Sequence, residues 1–351
     1  MMRLTQLSAA ALFAAAASLA LPAVVRSQSV ISTSAAATSV DTIAPATVHE
    51  SDYTIASGSL KLPGTLTVPA NVSGRIPVVL IVAGSGPTDR NGNTVAPGYS
   101  GRLPRPNSSA QLAWGLAQQG IASVRYDKRS LGDNAAKIDL PNTGIDDFIG
   151  DVTAGAKQLA ADPRFSRVVL LGHSEGAELV LQAANRGAPA AGIVMLSGAG
   201  RRFLPILHDQ LSRQLDSATL LQFDSAIAGF LRGETPTASF PPALMSLLQP
   251  TNRKFMRGMQ AYVPAEEIAR VRVPVLIVQG GRDIQITEVD ARALSAGQPA
   301  AKLLILPTAN HVLKAATATD QMSQLSLYLD PSTPIMPEIA PAIAEWIRAL
   351  K

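Results

Sequence analysis

The sequence predicts an α/β fold, with a mostly parallel central sheet and helices on both faces. Three observations carry that prediction. Short apolar, β-branched runs recur along the chain, each followed by a turn signal. These runs are apolar at successive positions, as strands buried on both faces require. Stretches with helical spacing lie between them, and strand–helix alternation is how parallel sheets are built. The chain has 351 residues, 47% of them hydrophobic, which suffices for one large α/β domain or two smaller ones.

The first stretch stands apart. Met1–Gln6 carries Arg3, "LSAAALFAAAASLALPAVV" has no charge, and "RSQS" follows. A basic start, a short apolar core and small residues after it read as a secretory signal peptide over residues 1–27, cut after Ala23 or Ser27. The rival reading is an uncut membrane anchor. An Ala-rich, weakly apolar core interrupted by Pro22 favours cleavage. The expectation is an exported protein, periplasmic or secreted. Residues 28–48 are rich in Ser, Thr and Ala without a sustained period and read as a flexible lead-in. There is no cysteine, so an exported chain has no disulfide framework, and thiol and zinc-thiolate chemistry are excluded. The net charge is +4, with Arg3 and Arg26 both in the leader, which leaves no basic footprint for nucleic acid. No later segment has the length and apolarity of a bilayer span.

Residues 49–351 form the predicted α/β domain. "DYTIASGSLKLPGTLTVP" alternates and breaks at Gly58 and at Pro63-Gly64, which predicts an opening antiparallel hairpin. Buried strands are expected at Ile76–Gly84, Ile121–Asp127, Arg167–Gly172, Ala191–Gly198, Val273–Gly281 and Lys302–Pro307. "SSAQLAWGLAQQG" reads as a helix with a Ser start and a Gly stop. "IDDFIGDVTAGAKQLAAD" sets Phe148, Val152 and Leu159 at helical spacing; "AELVLQAANRG" and "PEIAPAIAEWIRALK" are the other helical stretches. One region breaks the rhythm: residues 201–268 hold helical patches and no good strand run. A helical insertion between two core strands commonly covers a site at the sheet's carboxyl edge. An extra packing layer is the equal alternative.

The chemistry centres on "VVLLGHSEGAELVLQAANRG". A buried-strand pattern enters, Gly172 and Gly176 flank Ser174, and a helix pattern leaves, which is the context of a nucleophile elbow. The turn is tight, so residues two positions either side of the serine must lack side chains. It also sets Ser174 at a helix N-terminus, where free N–H groups favour negative charge. Otherwise Ser174 is a helix cap. A serine hydroxyl needs a base, and the base needs an orienting carboxylate. Of the four histidines, His49 precedes the first strand, His208 lies in the insertion, and His173 adjoins the serine but should point elsewhere from a strained turn. His311 follows the last strand, where the base of a Ser–acid–His order belongs. Asp283, just past Gly280-Gly281, is the expected acid; Asp290 is the rival, set farther into a helix start. Surface and capping roles are the bland alternatives for His311 and Asp283. The oxyanion would be held by the backbone N–H of Glu175 and of a residue after "VVLIVAG", for which Ser85 is chosen. Asp89 and Arg90 should stiffen that loop, "AGSGPTDRNGN". It lacks both G-x-G-x-x-G and the Lys-Ser/Thr ending of a P-loop, which disfavours phosphate binding.

With Ser174, Asp283 and His311 in that order on alternating strands and helices, the chain from about residue 50 to 351 resembles the α/β-hydrolase family. "GSGPTDRNGN", "RYDKRSLGDN" and "GHSEGA" look closer still to bacterial carboxylesterases near the serine aminopeptidase-like hydrolases. The resemblance implies an α/β-hydrolase fold, a helical cap at residues 201–268 and esterase activity on small acyl esters. Two departures stand out. Ala83-Gly84 replaces the His-Gly that opens the oxyanion loop in other branches, and Ser130 stands where Gly is more usual. The expected reaction is hydrolysis of a small-molecule ester through an acyl-enzyme, a scheme that needs no metal or organic cofactor. A peptidase or thioesterase with the same residues, or an inactive binding protein of this fold, are the alternatives.

Overall fold

The computed structural model describes residues 43–95 and 103–351. The signal peptide expected at 1–27 and residues 28–42 of the lead-in lie outside the described residues. Val48 already pairs with Pro69 in the first strand.

Eight strands form one sheet in the order β1-β2-β4-β3-β5-β6-β7-β8. They are β1 (Val48–Ser57), β2 (Leu60–Pro69), β3 (Ile76–Val82), β4 (Ala122–Tyr126), β5 (Phe165–His173), β6 (Gly192–Leu196), β7 (Val275–Gly280) and β8 (Lys302–Leu306). β1 and β2 are antiparallel, β2 is antiparallel to β4, and β3 to β8 are parallel to one another. The hairpin turns at Gly58, as read, but Pro63-Gly64 is no break. Both residues stay in register with β1, and Gly64 also faces Tyr126 of β4. A Cβ on Gly64 would stand 2.7 Å from the carbonyl oxygens of Tyr53 and Arg125, so this glycine permits strand approach rather than a turn.

Alternation within each strand divides the core in two. On one face Val78, Leu80 and Val82 pack with α2 (Ile145–Ala161) and α3 (Glu175–Asn185), through Ile149, Val152, Leu159 and Leu179. On the other Val79 and Ile81 pack with Leu112 and Leu116 of α1 (Ser108–Gln118), and with Ile339, Ile343 and Ile347 of the last helix. Residues buried on both faces explain the unbroken apolar runs.

Between β6 and β7 the chain makes α4 (Phe203–Leu211), α5 (Ser217–Arg232), α6 (Pro242–Leu247), α7 (Pro250–Ala261) and α8 (Pro264–Glu267). Proline opens three of these helices, where its missing N–H has no partner to lose. Asp216 caps α5 by accepting from the N–H groups of Ala218 and Thr219. Phe203, Leu207, Phe223, Ile227, Phe230 and Leu244 give this insertion a hydrophobic core of its own. Then follow α9 (Glu288–Gly297), α10 (Gln321–Leu329) and α11 (Ile339–Ala349). Helix α10 has no counterpart in the sequence reading. Among the described residues no helix is long and apolar enough to cross a membrane.

Candidate active site

The chain reverses its winding at β3, which lies between β4 and β5, and the carboxyl ends of β3 and β5 meet at that switch point. Open α/β sheets bind ligands there. Ser174 sits between β5 and α3 with φ 55° and ψ −121°. Such a backbone costs about 1–3 kcal/mol, so its surroundings must enforce it. They do. A Cβ on Gly172 would overlap the Gly176 carbonyl, and one on Gly176 would overlap the carbonyls of Val82 and Ala83. The Ser174 N–H donates to Leu196 O at 2.9 Å, and Ser174 O accepts from the Ala177 N–H at 2.9 Å. The turn is bonded at both ends and leaves no room for side chains on its flanks.

The loop after β7 carries Asp283 and the loop after β8 carries His311; both are buried. The Nδ1 of His311 lies 2.8 Å from Asp283 Oδ2. Asp283 Oδ1 accepts from the N–H groups of Gln285 at 2.8 Å and Ile286 at 3.0 Å. Burial alone would raise the Asp283 carboxyl. The facing His311 ring and these donors outweigh it, and the group is held below its ordinary value. Ser174 and His311 line one pocket of about 70 Å³, together with Ser85, Thr88, Gln285 and Tyr328. Among the described residues no hydrogen bond joins the Ser174 hydroxyl to the His311 ring, and such bonds commonly tighten only when substrate is present.

Ser85 follows β3, and Glu175 opens α3, one residue past Ser174. Asp89 Oδ1 accepts from the N–H groups of Asn91 at 2.8 Å and Asn93 at 2.9 Å. Arg90 forks onto Asp127 at 3.0 and 2.7 Å and donates to Gly64 O at 2.8 Å. These bonds tie the loop carrying Ser85 to the sheet. Asp290, the rival acid, is occupied elsewhere: its buried carboxylate accepts from Gly200 N–H and from the Arg201 guanidinium, fastening the start of the insertion to α9. His208 pairs with Asp224 at 2.7 Å inside the insertion, and His49 is exposed on β1. No group of three or more His, Asp and Glu among the described residues could hold a metal ion.

A profile of the alpha/beta hydrolase family matches residues 79–320, a span that includes Ser85, Ser174, Asp283 and His311. The chain belongs to this family. Esterase EstD of Thermotoga maritima is 31% identical over 278 residues, which is 78% of this chain and 62% of that esterase. The chain thus spans less than two thirds of that relative. The crystal structure of proline iminopeptidase from Mycobacterium smegmatis superposes with a TM-score of 0.54 at 17% identity, over 85% of this chain and 98% of that one. Est1E from Butyrivibrio proteoclasticus superposes with a TM-score of 0.50 at 17% identity, over 85% and 97%. At those identities the likeness shows the fold alone.

Three residues of this alpha/beta hydrolase's site escaped the sequence reading. His173 does not point away from the site: its ring lies 4.9 Å from that of His311. Its Nε2 donates to the His311 carbonyl oxygen at 2.7 Å. Burial, then the neighbouring His311, push the His173 pKa down to about 4, so this ring stays neutral and positions the loop of His311. Lys128 Nζ meets Glu175 Oε1 at 2.6 Å with both side chains buried, Glu175 being the residue after Ser174. Tyr328 of α10 reaches the pocket and its hydroxyl accepts from Gln285 Nε2 at 3.1 Å. Only His173, next to the elbow, carried a local signal.

Proposed function

We propose that the protein is a serine esterase that hydrolyses small carboxylic esters through an acyl-enzyme. One observation carries the reading: a strained serine at a helix N-terminus shares a pocket with a histidine that is hydrogen-bonded to a buried aspartate. Ser174 attacks the ester carbonyl while His311 Nε2 takes its proton. Asp283 holds the ring through Nδ1 and stabilises the positive charge it acquires. The N–H groups of Ser85 and Glu175 receive the oxyanion, a stabilisation of roughly 3 kcal/mol for each such donor. His311 then protonates the leaving alcohol, and water repeats the cycle on the acyl-enzyme. The Thermotoga maritima relative, an esterase, supports the same reaction class.

The test is Ser174→Ala. Hydrolysis of p-nitrophenyl acetate should fall by about 10⁴-fold or more, with the circular dichroism spectrum unchanged. A fluorophosphonate probe should label the parent protein at Ser174 and leave the variant unlabelled. A fully active variant would reject the nucleophile; a folded parent that neither labels nor turns over would point to an inactive binding protein.

A further inference from the structure

Glu175, whose N–H is an oxyanion donor in the scheme above, also carries a buried charge that the scheme does not use. Its Oε1 lies 2.6 Å from Lys128 Nζ, and the lysine and glutamate side chains are 4% and 3% exposed. The pair lines a cavity of about 40 Å³ with Gly86, Phe148 and Phe255, apart from the pocket that Ser174 and His311 share. Lys128 Nζ also stands 5.7 Å from the centroid of the Phe148 ring, within cation–π range. The residues on either side of Lys128, in the loop after β4, are pinned as well. Arg129 pairs with Asp151 of α2 at 2.8 Å. Asp127 accepts from the N–H of Arg90 at 2.8 Å and from its guanidinium, which fastens the loop carrying Ser85. Both expected oxyanion donors are thus tied to two adjacent residues, 127 and 128.

We propose that Lys128 is a positioning residue for the oxyanion hole: it holds the Glu175 carboxylate aside and cancels its charge, leaving the field at the Glu175 N–H free for the oxyanion. The inference rests on the esterase reading above, with Glu175 as one oxyanion donor. A helix N-terminus attracts negative charge of any origin. Glu175 is the first residue of α3 and brings a negative charge of its own. Without a counter-ion, that carboxylate competes with the oxyanion for the same helix terminus and repels it. The repulsion is strong because the pair is buried, where charges are poorly screened. A lysine ammonium bonded to the carboxylate removes the conflict.

A pair kept only for packing makes a different prediction. Removing either member of a buried ion pair strands the other, so both losses should harm the site in the same direction. If Lys128 acts on the oxyanion, the two losses differ in sign. Removing the lysine leaves a negative charge beside a developing negative charge. Removing the carboxylate leaves a positive one there.

The experiment uses the full chain with p-nitrophenyl acetate and with trifluoroacetone as inhibitor. Ser174 Oγ adds to the ketone carbon, its proton passes to His311, and the carbonyl oxygen becomes an oxyanion, so the adduct mimics the tetrahedral intermediate. In Lys128→Met, kcat should fall by about a hundredfold and the inhibition constant should rise by the same factor, while KM moves by less than about threefold. Glu175→Gln keeps the N–H and an acceptor for Lys128 Nζ, and there the ketone should bind about tenfold tighter. Weaker or unchanged ketone binding in Glu175→Gln overturns the inference, and this near-isosteric variant decides the matter even where Lys128→Met does not fold. So does a folded Lys128→Met variant with unchanged kcat, or one whose loss lies in KM. Each of these leaves the esterase reading standing. A parent protein that neither hydrolyses p-nitrophenyl acetate nor reacts with the fluorophosphonate would instead remove the esterase reading on which the inference stands.

Discussion

Ser174 holds a backbone conformation that few L-residues adopt, and two glycines make it possible by their lack of a side chain. Gly176→Ala therefore tests the elbow without touching any reacting group. The added Cβ collides with main-chain carbonyls of β3, which cannot rotate away as a side chain would. Stability should fall by about 3 kcal/mol, read as a lower urea midpoint, and the remaining folded protein should hydrolyse esters more slowly because Ser174 Oγ is displaced. An unchanged midpoint would mean that the turn is not as crowded as its contacts indicate. At this scale the glycine spacing was legible, because tight turns obey local steric rules. The positions of Asp283 and His311 were legible from their places after β7 and β8. The Lys128–Glu175 pair was not: each residue alone reads as an ordinary surface charge, and only burial makes the pairing obligatory.

Among the elements, α3 carries an unusual burden. It begins just past Ser174 and buries nine of its residues, Glu178 among them. Burial first, then the nearby Glu267 carboxylate, raise the Glu178 pKa from 4.5 to about 7, and its hydrogen bond from Gln182 offsets only part of this. The sign follows from linkage. Below about pH 4.5 the group is protonated whether the chain is folded or not. As pH rises toward 7 the unfolded chain releases the proton that the folded one keeps, and stability falls by about 3 kcal/mol across the window. Glu178→Gln removes the titration. The variant should match the parent near pH 5 and exceed it at pH 8 in chemical denaturation. A parent–variant difference that does not change with pH would contradict the assignment. The helical pattern of "AELVLQAANRG" showed that a helix forms here; that its acidic residue faces inward depends on the layer packed against it.

At the scale of the whole molecule, two packing regimes coexist. The central strands are sandwiched between layers, while the insertion folds around a smaller core of its own and is clamped to α9 by Asp290 and Arg201. Local opening should follow that division. In native-state hydrogen exchange monitored by mass spectrometry, amides of β3, β5 and β6 should be the most protected, and those of α5 and α6 should exchange at least about tenfold faster. Equal protection would show that the insertion opens only with the whole fold.

The sequence by itself determined the layer class, the six strands β3 to β8 nearly to their ends, and the strand–turn–helix that presents Ser174. Those features are local: side-chain periodicity and turn sterics act over a few residues, and continuous apolar runs have few ways to be buried. Tertiary structure alone decided the strand order, the inward turn of His173 and the Lys128–Glu175 pair. The His173 and Lys128 contacts join residues 138 and 47 positions apart. Which distant groups meet is set by how whole layers pack, and no short stretch of residues specifies that.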